Sequence, residues 1–165
     1  MYIETQRLLI RDFQANDAND LYEILGDAEV MEYCEPAYSF EQTTAFLNEF
    51  CISKKGAVAA VLKETNTLIG YILFNPLETD IYEIGWFFHK GYWQQGYAYE
   101  ACSHIIEHAF STLHAHKIVA ETIDPIRSVR LMQKLGMKQE GIQRSHTRDL
   151  HGNWVDFYLY GILNE

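Results

Sequence analysis

The sequence predicts a mixed α+β domain of about seven strands and about four helices. Three observations point to it. Two apolar runs, Ala57 to Leu62 and Leu68 to Phe74, flank the polar stretch Lys63-Glu64-Thr65-Asn66-Thr67 and read as a hairpin. From about Tyr97 to Leu113, apolar residues recur at helical spacing (Ala98, Ala101, Cys102, Ile105, Ala109, Phe110), as in a long helix with one buried face. Strand-like runs on either side, Tyr82 to His89 and Lys117 to Thr122, make this a strand–loop–helix–strand unit, which requires a right-handed crossover.

The remaining elements follow in chain order. Arg7 to Phe13 reads as a first strand. Asn16 or Asp17 is placed to cap a helix through Leu21, Tyr22 and Leu25 that stops at Gly26. Ser39-Phe40-Glu41-Gln42 is a capping box that opens a second helix, to about Phe50. The polar, acidic stretch Asp27 to Tyr38 joins the two. After the central unit, Ser128 to Leu135 reads as a short helix ended by Gly136, with Ser128 as a candidate N-cap. Two last strands, Lys138 to Arg148 and Asn153 to Leu163, flank a turn at His151-Gly152. Pro36, Pro76 and Pro125 are all expected in loops. No linker or repeat divides residues 1–165, so one domain is expected.

Composition narrows the classes of function. The chain has 165 residues, 48% of them hydrophobic and 14% aromatic, enough for a real core. No apolar run reaches the roughly 18 residues of a membrane span, and charges interrupt Met1 to Arg11 where a signal peptide needs an apolar stretch. Cys34, Cys51 and Cys102 are odd in number and lack metal-ligand spacing, so a reducing cytoplasm is the expected compartment. The net charge of −10 argues against a nucleic-acid backbone as partner. All of that excess lies in residues 1–83, with 5 Lys/Arg against 15 Asp/Glu, while residues 84–165 carry 8 of each. An acidic half beside a neutral one can attract a cation at one place and tolerate an anion at another. Asp27, Glu29, Glu32 and Glu35 are the candidates for steering a cationic partner; otherwise they are solvated surface.

Trp93-Gln94-Gln95-Gly96-Tyr97-Ala98 joins a strand to a helix. Small residues at 96 and 98 allow a ligand close to the backbone, and the first amides of the helix favour an anion such as a pyrophosphate. The loop fits neither the Walker pattern nor the dinucleotide G-x-G-x-x-G. Read from Glu83-Ile84-Gly85-Trp86 through Gly91-Tyr92-Trp93-Gln94-Gln95-Gly96-Tyr97-Ala98-Tyr99-Glu100-Ala101, it resembles motif A of the GNAT superfamily. More narrowly it resembles the branch of ribosomal-protein N-terminal (alanine) acetyltransferases. Thr5 to Arg11, Ser128 to Met137 and Gly152 to Asp156 match further segments of that branch in order, so the resemblance spans nearly the whole chain.

This resemblance implies a central, twisted, mostly antiparallel sheet splayed at the cofactor strand. It also implies acetyl-CoA as donor, an amine as acceptor and no metal. Trp86, Phe87 and Phe88 would line the pantetheine arm through their backbone. Gln94, Gln95, Gly96, Tyr97, Ala98 and Tyr99 would hold the pyrophosphate, and Arg130 and Lys134 would meet the nucleotide end. Glu83 is the first candidate base, with His146 and Asp149 behind it, and Ser128 is the candidate for holding the leaving thiolate. Met132 stands where many members carry a Tyr general acid. The implied acceptor is a peptide or protein α-amino group, with a cationic N-terminus among the candidates and the protein acting as monomer or homodimer. A polyamine or aminoglycoside acceptor and a non-catalytic acyl-CoA sensor are the alternatives.

One rival motif is present. His104-Ile105-Ile106-Glu107-His108 spells H-x-x-E-H, with both histidines on the polar helix face, but a catalytic zinc needs a third ligand.

Overall fold

The computed structural model describes residues 1–165. Its strands are β1 (Tyr2–Glu4), β2 (Leu8–Asp12), β3 (Ala57–Leu62), β4 (Thr67–Glu78), β5 (Ile81–Phe88), β6 (Lys117–Thr122), β7 (Lys138–Arg148) and β8 (Trp154–Leu163). They form one sheet in the order β1-β2-β3-β4-β5-β6-β8-β7, antiparallel except for β5 against β6. The helices are α1 (Ala18–Leu25), α2 (Phe40–Phe46), α3 (Tyr97–Ser111) and α4 (Arg127–Lys134). The sheet has eight strands where about seven were expected. The addition is β1, whose three residues are too few for an alternation signal and are held by pairing Tyr2–Glu4 against Leu9–Arg11.

The sheet divides the core in two. On one face Ile84, Phe88 and Ile118 of the sheet share a core with Ile105 of α3 and Met132 of α4. On the other, Leu68 and Tyr71 of the sheet share a core with Leu21 and Ile24 of α1 and with Leu47, just past α2. Strand β3 is buried along its whole length, which is why Ala57 to Leu62 shows no polar alternation.

Several local expectations are met and several are corrected. Ser39 caps α2 as expected: its Oγ accepts from the Gln42 amide, and the Gln42 side chain accepts from the Ser39 amide. The helical run then continues as a π-helical turn, Leu47–Ser53, beyond Phe50. Asp17 precedes α1 but does not cap it. Its carboxylate accepts two hydrogen bonds from the Arg11 guanidinium, both at 2.8 Å, and this charged pair outcompetes the helix amides. Pro76 lies inside β4 and not in a loop. It sits past the end of β3, where β4 has only β5 beside it and the register slips between Pro76 and Glu78, so its missing N–H breaks no central ladder. The β7–β8 turn forms as expected, with Gly152 at φ 83°. No helix is long and apolar enough to cross a membrane. All three cysteines are free thiols, Cys34 exposed and the other two buried.

Candidate active site

Strands β5 and β6 are paired only at Ile81↔Lys117, Tyr82↔Ile118 and Glu83↔Val119. Beyond Glu83 they part, and the rest of β5 has no strand partner across the gap. A cavity of about 770 Å³ fills this gap and passes from one face of the sheet to the other. That volume suits a substantial organic ligand.

The half under α3 and α4 begins at the loop after β5. Trp93 donates from its indole nitrogen to the Phe88 carbonyl at 2.7 Å, folding the loop back on the strand. Gln94 and Gly96 take left-handed conformations, φ 60° and φ 83°. Such alternation turns successive amides toward one point and makes an anion-binding concavity. No side chain caps the first turn of α3, so its amides remain available. Arg7 fixes this loop from behind. Its Nη1 donates to the Gln95 carbonyl at 2.9 Å, and its guanidinium lies 4.1 Å from the centre of the Tyr97 ring. Arg7 is itself held by Glu100, whose carboxylate accepts from the Arg7 Nε, the Arg7 amide and the Thr5 hydroxyl.

Of the residues expected to meet a cofactor, Trp86, Phe87, Phe88, Gln94 and Gly96 line the cavity, as do Tyr97, Ala98, Tyr99, Ser128 and Lys134. The Lys134 ammonium lies 4.4 Å from the centre of the Tyr99 ring. Two expected residues do not line it. The Gln95 side chain turns away to the Gly91 carbonyl, and Arg130 falls on the exposed side of α4. Phe87 points to the opposite half from Trp86 and Phe88, because strand residues alternate between faces.

The half under α1 and α2 contains Glu83, Gly85 and Phe87 from β5, with Tyr71 and Leu73 from β4. Burial first, and then the neighbouring Glu121 carboxylate, push Glu83 above the ordinary carboxylate range. Burial pushes Glu121 upward as well. The other two candidate bases lie outside the cavity. His146 stacks on Phe157 with ring centres 5.9 Å apart. Asp149 is committed to the β7–β8 turn, where hydrogen bonds from the Asn153 side chain and amide and from the His151 amide hold it below its usual value. Met132 is fully buried in the core and does not reach the cavity.

Three residues that sequence reasoning passed over belong to the site. Glu121 sits on β6, and only the β5–β6 register brings it near Glu83. Asp124, 3% exposed, accepts from the amides of Ile126, Arg127 and Ser128 at 2.9, 3.1 and 3.1 Å, so it caps α4 in place of Ser128. An Asp before Pro and a helical pattern was the available signal. Its second oxygen lies 3.4 Å from the Ser128 Oγ. We expect Asp124→Ala to lower stability by about 2–3 kcal/mol in urea unfolding, because it orphans several helix amides at once.

Arg127 is the third. It ion-pairs with Glu32 at 3.5 Å and covers the Trp93 ring at 4.8 Å. Lys90 likewise pairs with Asp27 at 2.8 Å and approaches Glu29 at 3.8 Å. The acidic stretch that offered candidates for steering a cation is therefore paired in large part with Lys90 and with the first residue of α4, leaving Glu35, whose carboxylate accepts from the Tyr38 hydroxyl. His104 directs Nδ1 to the Glu100 carbonyl at 2.8 Å, and no group of three or more metal-ligating side chains forms in the chain.

A splayed β5–β6 pair with an open helix N-terminus beside it defines a GNAT-type acyltransferase site. Residues 7–138 match the family described as "Acetyltransferase (GNAT) domain", and the chain belongs to that family. It is an acetyl-CoA-dependent N-acetyltransferase. It is 38% identical over 170 residues to the uncharacterized N-acetyltransferase YnaD of Bacillus subtilis, with 100% of this chain and 98% of that protein covered. The crystal structure of the acetyltransferase (GNAT family) from Bacillus anthracis superposes with a TM-score of 0.91 at 32% identity, over 99% of both chains. Two more distant structures share the fold at 19% identity. Ribosomal-protein-S5-alanine acetyltransferase from Vibrio fischeri has a TM-score of 0.83 over 100% of this chain and 97% of its own. Spermidine N-acetyltransferase from Vibrio cholerae, in complex with CoA and spermine, has a TM-score of 0.84 over 96% of both.

Proposed function

We propose that residues 1–165 act as one domain that acetylates a primary amine, most readily the α-amino group of a peptide or protein. The observation that carries this reading is the position of Glu83. It stands where β5 and β6 part, on the α1/α2 half of the cavity, with its carboxyl raised by burial and by Glu121.

The chain fits acetyl-CoA, which supplies an activated acetyl thioester when bound. The amides around Gln94 to Tyr99 would hold the pyrophosphate, and the open edge of β5, from Trp86 to Phe88, the pantetheine arm. Lys134 would meet the nucleotide end. Glu83 takes a proton from the amine, directly or through one water, so that the nitrogen lone pair is free to attack. As the C–N bond forms and the C–S bond breaks, the nitrogen sheds its second proton, which leaves with the thiol; Ser128 would hydrogen-bond the departing sulfur, and open β5 amides would steady the acyl oxygen.

The energetics favour an α-amine. Deprotonating a lysine-type amine of pKa about 10.4 at pH 7 costs about 4.6 kcal/mol, whereas an α-amine near 7.8 costs about 1 kcal/mol. A single carboxylate with a modestly raised pKa suits the second case. A polyamine is the second reading, supported by the proximity of Glu83 and Glu121, which together would favour a cation. The test is release of free thiol from acetyl-CoA with α-amino peptides, N-terminally blocked Lys peptides, spermidine and an aminoglycoside. Highest kcat/KM for the α-amino peptides supports the first reading. Highest kcat/KM for spermidine replaces it with the second.

A further inference from the structure

Beyond Glu83, the α1/α2 half of the cavity has a composition that bears on what accompanies the amine. Three residues of β5 run along its floor, Glu83, Gly85 and Phe87; Gly85 pairs with Leu73 and Phe87 with Tyr71, which line the cavity as well. At about 3.4 Å per residue, Glu83 and Phe87 lie about 14 Å apart along the strand. Polarity changes sharply over that distance. Glu83 and Glu121 sit at one end, and the floor then becomes apolar.

Aromatic rings close the apolar end. Tyr71 contacts Phe87 with ring centres 5.6 Å apart, Phe46 contacts Tyr71 at 5.7 Å, and Phe46 stacks on Phe50 at 5.2 Å. All four line the cavity. Between acid and rings, Gly85 leaves the floor bare: a Cβ there would make ordinary contact with Leu73 at 3.4 Å, so the space is present and unfilled. Besides Glu83 and Glu121, the carboxylates that line the cavity are Asp124, committed to the α4 amides, and Glu35, already hydrogen-bonded to Tyr38.

We propose that the acceptor is a primary amine whose neighbouring carbon carries a large apolar group, aromatic or branched aliphatic. The amine is held at Glu83, and the apolar group rests on Leu73, Tyr71, Phe87 and Phe46. This rests on reading the Glu83 half as the acceptor side. A peptide with a large apolar first residue and a free arylalkylamine share this chemistry, and the experiment separates them.

The experiment measures thiol release from acetyl-CoA with peptides that differ only at residue one (Phe, Leu or Gly), with phenethylamine and with spermidine. The Phe and Leu peptides are expected to exceed the Gly peptide in kcat/KM by roughly 10- to 100-fold. Phe46→Ala is expected to reduce that ratio to a few-fold while the KM for acetyl-CoA stays unchanged. If Phe46→Ala unfolds, Phe46→Leu is used, which keeps bulk and removes the ring; it is expected to weaken the Phe peptide more than the Leu peptide. Phenethylamine matching the Phe peptide supports the proposal with a free amine as the source, and preference for the peptide supports it with an N-terminus as the source. Equal rates for the Phe, Leu and Gly peptides, or a preference for spermidine, overturn the proposal and leave amine acetylation standing. No thiol release with any amine overturns both.

Discussion

Glu83→Gln is expected to lower kcat/KM for the amine by roughly 10²- to 10⁴-fold, the usual contribution of a positioned general base, while leaving the KM for acetyl-CoA near its wild-type value. Glutamine keeps the shape and an acceptor oxygen but cannot take a proton. Stability should move the other way. The folded protein raises the Glu83 pKa, chiefly by burial and then through Glu121, so the folded state binds that proton more tightly than the unfolded state does. Glu83 therefore favours folding at low pH, and this contribution is lost as pH rises through the folded pKa. At pH 7 the charged form is the strained one, and a neutral glutamine relieves it. The variant should melt at or above the wild-type temperature at pH 7. Steady-state kinetics with a thermal melt on the same preparation checks both halves. Full activity in the variant would remove Glu83 as base, and a large loss of stability would mean that its role is structural.

The wild-type pH profile follows from the same shift. Activity should fall at acid pH with an apparent pKa above the usual value of about 4.3 for Glu, because the base must be ionised to act. For an α-amine acceptor it should continue to rise toward the amine pKa near 7.8. In Glu83→Gln the lower limb should disappear.

How much of this was legible in the sequence depended on whether a feature is local. The α2 capping box, the α3 periodicity, the Gly96 loop and the β7–β8 turn are each written within a few residues, and each forms as read. Features set by strand pairing were harder. Glu121 looks like one residue of a strand, and only the point at which β5 and β6 part makes it a neighbour of Glu83. The acidic loop shows why charge counts mislead: Asp27, Glu29 and Glu32 are acidic in composition, yet Lys90 and Arg127 meet them from elements more than sixty residues away in sequence. Arg130 and Lys134 are one turn apart, but the packing of α4 brings only Lys134 to the cavity.

The second large effect is expected at Glu100, which sequence similarity marked only as part of a motif. Its side chain is 11% exposed and receives hydrogen bonds from Thr5, from the Arg7 amide and from the Arg7 guanidinium. Burial alone would raise its pKa, but these donors outweigh burial and hold it below the usual value. A lowered carboxylate pKa adds stability that is present above about 4.3 and is lost as pH falls through the lower folded value. Glu100→Ala should therefore destabilise the protein by about 2–3 kcal/mol at pH 7, and by less near pH 3, where the wild type has begun to lose the same contribution. Urea unfolding at the two pH values measures the difference. The kinetic consequence reaches the donor side of the site. Without Glu100, Arg7 loses the partner that aims it at the Gln95 carbonyl and the Tyr97 ring, so the left-handed turns at Gln94 and Gly96 lose their brace. The KM for acetyl-CoA should rise roughly tenfold, equivalent to about 1.4 kcal/mol, and the KM for the amine should stay nearly constant. Glu100→Gln, which keeps one acceptor oxygen, should recover part of the stability but little of its pH dependence. An equal rise in both KM values would mean that the change spreads through the fold and that the Arg7–Glu100 pair has no specific hold on the pyrophosphate loop.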